Sequence, residues 1–158
     1  MMRDFEPSDV VGDYKAITLN LYGGMQRLVL YTELETPYTD GKLIVSVTDK
    51  SGIITHVNQS FVEMSGYSEE ELIGSPHSIL RHPDMPAVAF KDLWDTVDRG
   101  VKWQGIVKNL RKDGGYYWVK ATVVPNIRHG EIVSYTSVRR KPSRAKVQEA
   151  AALYASLR

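Results

Sequence analysis

The stretch Lys102 to Val124, KWQGIVKNLRKDGGYYWVKATVV, decides the fold. Its two halves, Lys102 to Arg111 and Tyr116 to Val124, have the β-branched and aromatic composition of strands. Between them, Lys112-Asp113-Gly114-Gly115 is a strong turn signal, so a long antiparallel hairpin is expected. Upstream, Phe90, Leu93, Trp94 and Val97 fall at i, i+3, i+4 and i+7, which predicts a helix from Ala87 that Gly100 terminates. Pro76 to Pro83 is too punctuated for anything beyond a turn and a loop. Ser68 and Glu71 have capping-box spacing for a short helix that Gly74 stops, and Asn58 can cap another that carries Phe61 and Met64 and ends at Gly66. Leu43 to Asp49 and Ile53 to Val57 form a second hairpin around Asp49-Lys50-Ser51-Gly52. Downstream, a turn over Ile127 to Gly130 leads to a final strand, Glu131 to Arg139. That order predicts an α+β fold: a five-stranded antiparallel sheet with short helices on one face and a longer connecting helix.

The core domain so read spans residues 43-140. Residues 1-42 form an N-terminal extension or cap with a loose lead (Arg3 to Asp13), a possible hairpin and a linker (Thr36 to Gly41). In the hairpin, Ile17, Leu19 and Leu21 alternate with polar residues, Gly23-Gly24 turns, and Leu28 to Tyr31 returns. Residues 141-158 form a connector helix that Ser143 caps after Pro142, with Val147, Ala151, Tyr154 and Leu157 on one stripe. A lone helix of this length is marginal in water. Its stripe therefore needs the sheet, a second subunit or a downstream module as partner.

Composition narrows the function classes. Hydrophobic residues at 42% and charged ones at 25% describe a soluble globular chain. A net charge of +1 supplies no global attraction to nucleic acid or acidic membrane, so membrane contact is expected only indirectly. The cluster Arg139, Arg140, Lys141, Arg144 and Lys146 reads as a solvated helix start, with an anionic lipid or acidic partner as the alternative. With no cysteine there is no disulfide framework, thiolate metal site or thiol-linked cofactor. No apolar run approaches the ~20 residues of a membrane span, and no signal sequence opens the chain, so a cytoplasmic location is expected. His56, His77, His82 and His129 lack a nucleophile arrangement, and no glycine-rich phosphate loop opens a helix. Neither enzyme activity nor a metal site is expected.

Ile53 to Gly74 (IITHVNQSFVEMSGYSEEELIG) and Asn109 to Pro125 (NLRKDGGYYWVKATVVP), in this element order, resemble the PAS sensory domain over Leu43 to Arg140. Within that superfamily, RHPDMP (Arg81 to Pro86) followed by WQGIVKN (Trp103 to Asn109) is similar to the PAS domain of bacterial aerotaxis receptors. The resemblance implies non-covalently bound FAD as a redox or oxygen sensor. It also implies a homodimer formed through the PAS domain or terminal segments, and a downstream signalling module in the same or another chain.

The residues themselves outline a pocket. Trp103, Gly105, Val107 and Asn109 share one strand face by the period of two. Trp103 can stack on or cover a flat ring, and Asn109 can pair with a pyrimidine-like edge, as does the flavin-contacting asparagine of similar PAS domains. Val119, Ala121 and Val123, with Ser134 and Thr136, would make the floor. Phe90 and Trp94 either close the pocket or simply fill the core. Arg81 and His82 can pair with a pyrophosphate or ribose while Asp84 holds them; the same three also fit a self-contained salt bridge capping the helix. Asn58 is a helix cap that can also line the pocket. Two other readings remain open: a cofactor-free PAS module for dimerisation or small-ligand binding, and haem bound through His77 or His82. The long helix has no histidine, which disfavours haem, and the absent cysteine excludes light-driven thiol addition to flavin.

Overall fold

The structure, a computed structural model, describes residues 2 to 158. Its centre is an antiparallel sheet of five strands: β3 (Ile44–Asp49), β4 (Ile54–Val57), β5 (Trp103–Leu110), β6 (Tyr116–Arg128) and β7 (Glu131–Arg140). Their spatial order is β4-β3-β7-β6-β5. Against the inner face lie α1 (Gln59–Ser65), α2 (Glu69–Leu72), a 3-10 turn (His77–Leu80) and α3 (Ala87–Asp98). The predicted caps are in place. The Asn58 side chain accepts from Phe61 N, Ser68 and Glu71 close a capping box, and Gly66 ends α1 in the left-handed region.

The decisive hairpin is also the joint between core and N-terminal cap. Asp113 Oδ1 accepts from Gly115 N at 2.9 Å inside the turn. Gly114, at φ 87°, donates to Arg111 O and accepts from Thr32 N. A Cβ on Gly114 would sit 3.0 Å from Leu30 O. Glycine there serves the turn and admits the neighbouring chain.

That neighbouring chain differs from expectation. The lead is not loose and residues 36-41 are not a free linker. Phe5 is buried with Val29, Leu30 and Leu110 in a second apolar cluster. Thr36 N donates to Tyr116 O, and the buried Tyr38 hydroxyl reaches Lys42 O and Arg139 O. The hairpin is formed by β1 (Lys15–Asn20) and β2 (Gln26–Tyr31). Arg27 on β2 is buried and donates to Arg3 O, Ile79 O and the Tyr67 hydroxyl at 2.8, 2.8 and 3.0 Å.

Three further expectations are corrected. β6 runs on through Pro125 to Arg128, and the turn shrinks to His129-Gly130, because β5 has already ended opposite Val123 and no neighbour on that side needs the proline's missing N–H. That turn and a register shift at Asn126/Ile127 set Val123 opposite Ser137. Tyr135, Ser137 and Arg139 therefore face inward, while Ser134 and Thr136 bond Asn126 on the outer face. Arg139 thus leaves the solvated basic cluster for the interior. Finally, α4 (Arg144–Ser156) folds back on the outer face through Val147, Ala150 and Tyr154 against Trp118 and Ile106. Ala151 and Leu157 stay exposed. No helix among the described residues is long and apolar enough to cross a membrane.

Replacing Arg27 by alanine strips Ile79 O and the Tyr67 hydroxyl of their buried donor, a loss of about 2 to 4 kcal/mol. Denaturant unfolding should record that loss. Hydrogen exchange should show protection falling first in β2, while β6 and β7 keep theirs.

Candidate functional site

The inner face of the sheet is apolar at the β5 side and polar in the middle. Val107, Val119, Ala121 and Val123 are buried beside Trp103, whose indole Nε1 donates to Asp92 Oδ2 at 2.9 Å. The six-membered ring of the indole comes up against Gly105, where any Cβ would run into it. Glycine is the residue that permits this close approach. Asn109, farther along the same face, is buried beside Tyr117.

In the middle stands Arg139, only 2% exposed. Its Nη2 lies 2.8 Å from Ser46 Oγ and 2.6 Å from His77 Nε2, and its guanidinium stacks 4.8 Å from the Phe61 ring centroid. Its Nη1 is buried without any hydrogen-bond partner, as is the nearby Tyr117 hydroxyl. No carboxylate among the described residues pairs with this guanidinium in a salt bridge. Burial brings its pKa down to about 10 and pushes the Tyr117 phenol up to about 12. His77 Nε2 accepts from the arginine, so the ring is neutral with its proton on Nδ1. Burial, reinforced by the Arg139 charge, depresses its pKa to about 3. An unpaired buried cation costs several kcal/mol on the order of other buried charges. The arrangement therefore favours a group that brings negative charge or acceptor oxygens to the inner face.

Arg81 pairs with Asn109 through a backbone bridge along the free edge of β5. Its guanidinium lies 4.6 Å from the Phe90 ring centroid, and its Nε is buried without a partner. Burial lowers its pKa. His82 turns the other way. It is 1% exposed and sits edge-on to Tyr31 and Tyr116, with centroids 5.8 and 6.0 Å away. Its Nδ1 accepts from Asp84 N at 3.0 Å, and its Nε2 is unpartnered. Burial, then the Lys108 charge, holds its pKa down at about 3.

Asp84 receives Lys108 Nζ at 2.8 Å and Arg158 Nη1 at 2.7 Å. Burial would push its carboxyl up, but the Lys108 hydrogen bond and the surrounding cations outweigh that and hold it below the usual range. This cluster thus ties the loop to the outer side of β5 and the end of α4.

The sequence-predicted residues therefore separate. Trp103 and Asn109 share the inner face. Arg81 and Phe90 stack together beside it, and Trp94 packs edge-on against Tyr135 at 5.4 Å, next to Gly52. His82 and Asp84 belong to a brace on the outer side. Asn58 is fully engaged: besides its cap, it accepts from Val45 N and donates to Leu43 O. Arg139, Tyr117 and Ser46 were not assigned to the site from sequence, and His77 entered only as a possible haem ligand. The strand alternation carries the signal for Arg139, once the register at His129-Gly130 is right.

A family model described as the PAS fold matches residues 54–139, more than half of the chain. Over 126 residues, 80% of this chain, the sequence is 45% identical to the aerotaxis receptor of Escherichia coli K12. It is 27% identical over 106 residues, 66% of this chain, to the nitrogen fixation regulatory protein of Klebsiella pneumoniae. The chain spans 25% and 21% of the length of these relatives. Among solved structures, a light-oxygen-voltage domain from a flavin-analogue study superposes with a TM-score of 0.64 at 21% identity, covering 74% of this chain and 90% of that one. A PAS domain from Colwellia psychrerythraea superposes at 0.54 and 27% identity, covering 65% and 87%. The sheet order, the helices on its inner face and the matched residues agree: the chain belongs to the PAS family.

Proposed function

We propose that this chain is a non-enzymatic sensor module that binds FAD non-covalently against the inner face of the sheet and reports redox state or oxygen to a downstream signalling module. The observation that carries the reading is the buried Arg139 guanidinium with its unpartnered Nη1. Likeness to an aerotaxis receptor supports the sensory role and a cytoplasmic location. Bound there, a flavin would supply a ring system that gains electrons, and with them negative charge or protons. Arg139 would oppose that charge, Tyr117 and Asn109 would meet the polar ring edge, and neutral His77, accepting on Nε2, would hold the guanidinium in position. Trp103 would have to leave Gly105 and cover the ring. On this reading Arg81 takes the phosphate side, and Asp84 and His82 hold the loop in place.

Any change at Arg139 or Asn109 on loading or reduction biases the strands that carry them. A ligand shifts such an equilibrium only by its differential interaction with the two states, and ~1 to 3 kcal/mol suffices for regulation. A cofactor-free module is the second reading, favoured by the Trp103 indole already filling the space above Gly105.

Gently purified protein is expected to show flavin absorption bands that bleach with dithionite, and the released cofactor should have the mass of FAD. Colourless protein that takes up no added FAD sinks the proposal. Arg139→Met should lose the flavin while leaving the cofactor-free protein as stable or more so, since an apolar side chain of similar volume removes an unpaired charge. Trp103→Ala and Asn109→Ala should each lower flavin occupancy in folded protein, and unchanged occupancy in both moves the site elsewhere.

The two buried imidazoles add a pH dependence to the cofactor-free chain. Their pKa values are about 3 against 6.5 when exposed. Between those values the unfolded chain binds protons that the folded one refuses. Stability is therefore level above 6.5 and falls as the pH drops toward 3. Melting curves should follow that course, with a shallower slope for His77→Gln combined with His82→Phe.

A further inference from the structure

We propose, resting on the flavin reading above, that Asp92 is a positioning residue: its carboxylate latches the Trp103 indole across the unloaded pocket, and release of that bond admits the ring. The seat is a dent in the inner face of the sheet. Gly105 stands directly opposite Ala121, so the smallest side chains of β5 and β6 lie side by side. The pair Val107 and Val119 bounds the dent on one side, and Val123, opposite Trp103, bounds it on the other. A shallow apolar seat of this kind suits a planar ligand. In the cofactor-free chain it is filled from within, because three atoms of the indole's six-membered ring crowd the position a Cβ on Gly105 would take.

Two features separate this tryptophan from ordinary core. Its polar tip is tied to the rim of the pocket, since Nε1 donates to Asp92 Oδ2 at 2.9 Å and Asp92 is an exposed residue of α3. β5 is the last strand of its sheet, so an indole reaching from it to α3 closes the gap between strand and helix. Trp103 also opens β5, directly after the exposed Gly100, Val101 and Lys102. The strand beyond it is fixed: eight consecutive pairs join it to β6, and the Tyr154 hydroxyl of α4 donates to Ile106 O at 2.5 Å. The movable part is therefore the indole side chain, whose single donor is the one that Asp92 holds. When the indole swings out, water replaces the bond at both ends, so the latch opens at low cost.

Such a latch acts on the unloaded chain. A pocket that is open for only a fraction of the time has its apparent dissociation constant raised by the inverse of that fraction. Weakening the latch enlarges the open fraction and leaves alone the contacts made after the ring has entered. Association should quicken while dissociation keeps its rate.

The test is stopped-flow binding of FAD and of uncharged riboflavin to the cofactor-free full chain. Asp92→Ala, at an exposed helix position where alanine is favoured, keeps the fold. It should raise the association rate constant about tenfold, equivalent to ~1.4 kcal/mol, with dissociation unchanged. Asp92→Asn keeps a neutral acceptor and should fall between the two. Trp103→Phe keeps a ring without the N–H, and in that background Asp92→Ala should add nothing. A second arm needs no flavin: the Trp103 indole N–H, identified by its loss in Trp103→Phe, should exchange with solvent roughly tenfold faster in Asp92→Ala than in the original chain. Loading that is no faster in Asp92→Ala overturns the proposal. So does a gain confined to FAD, which would reflect removal of a charge that repels phosphate, or weaker binding through faster dissociation, which would make Asp92 a support of the loaded state. If no variant takes up flavin, the cofactor reading falls and the indole exchange alone decides the latch, equal rates in the two chains overturning it.

Discussion

A single buried charge organises the inner half of this molecule. Arg139 sits in the middle of the sheet, and each group around it is one that tolerates a cation without neutralising it: a hydroxyl from Ser46, a neutral imidazole from His77 and the ring face of Phe61. They come from β3, from the 3-10 turn and from α1, so the packing of three separate elements is arranged around one guanidinium. The backbone carbonyl of the same residue receives the Tyr38 hydroxyl. Because the desolvation of such a charge is repaid only by good geometry, displacement of any one of these neighbours is felt by the others.

The loop from Arg81 to Pro86 works differently. Its side chains look in opposite directions. Arg81 leans on Phe90 toward the interior, whereas His82 and Asp84 lean outward to Tyr31, Lys108 and Arg158. One short segment therefore touches the candidate pocket, the N-terminal cap and the end of α4. An ion pair such as Asp84–Arg158, at the surface, contributes little to stability on its own. Its importance is positional, since it links the segment beside the pocket to the end of α4.

How much of this was legible in the sequence depended on the range of the interactions. Caps, turns and helix faces are local, and Asn58, Ser68, Glu71 and Gly66 announced them correctly. The inward face of β5 followed from alternation alone. What failed was set at a distance. Parity along β7 hinges on a two-residue turn and a register shift in its neighbour, and a slip of one residue exchanges the faces. Arg139 was consequently read as a solvated basic residue. Likewise, Thr36 to Gly41 has linker composition, and nothing local reveals that Tyr38 is pinned to a strand end 101 residues away.

That pin has a kinetic consequence. During synthesis the N-terminal cap emerges well before the groups it docks on, the turn around Gly114 and the carbonyl of Arg139. Thr32 and Tyr38 must wait across separations of 82 and 101 residues for their partners. Long-range closure of this kind slows folding. Until β7 is laid down, the guanidinium stays in water and the cap has no floor. The final strand thus completes the sheet, carries its charge into the interior and supplies the carbonyl that pins Tyr38.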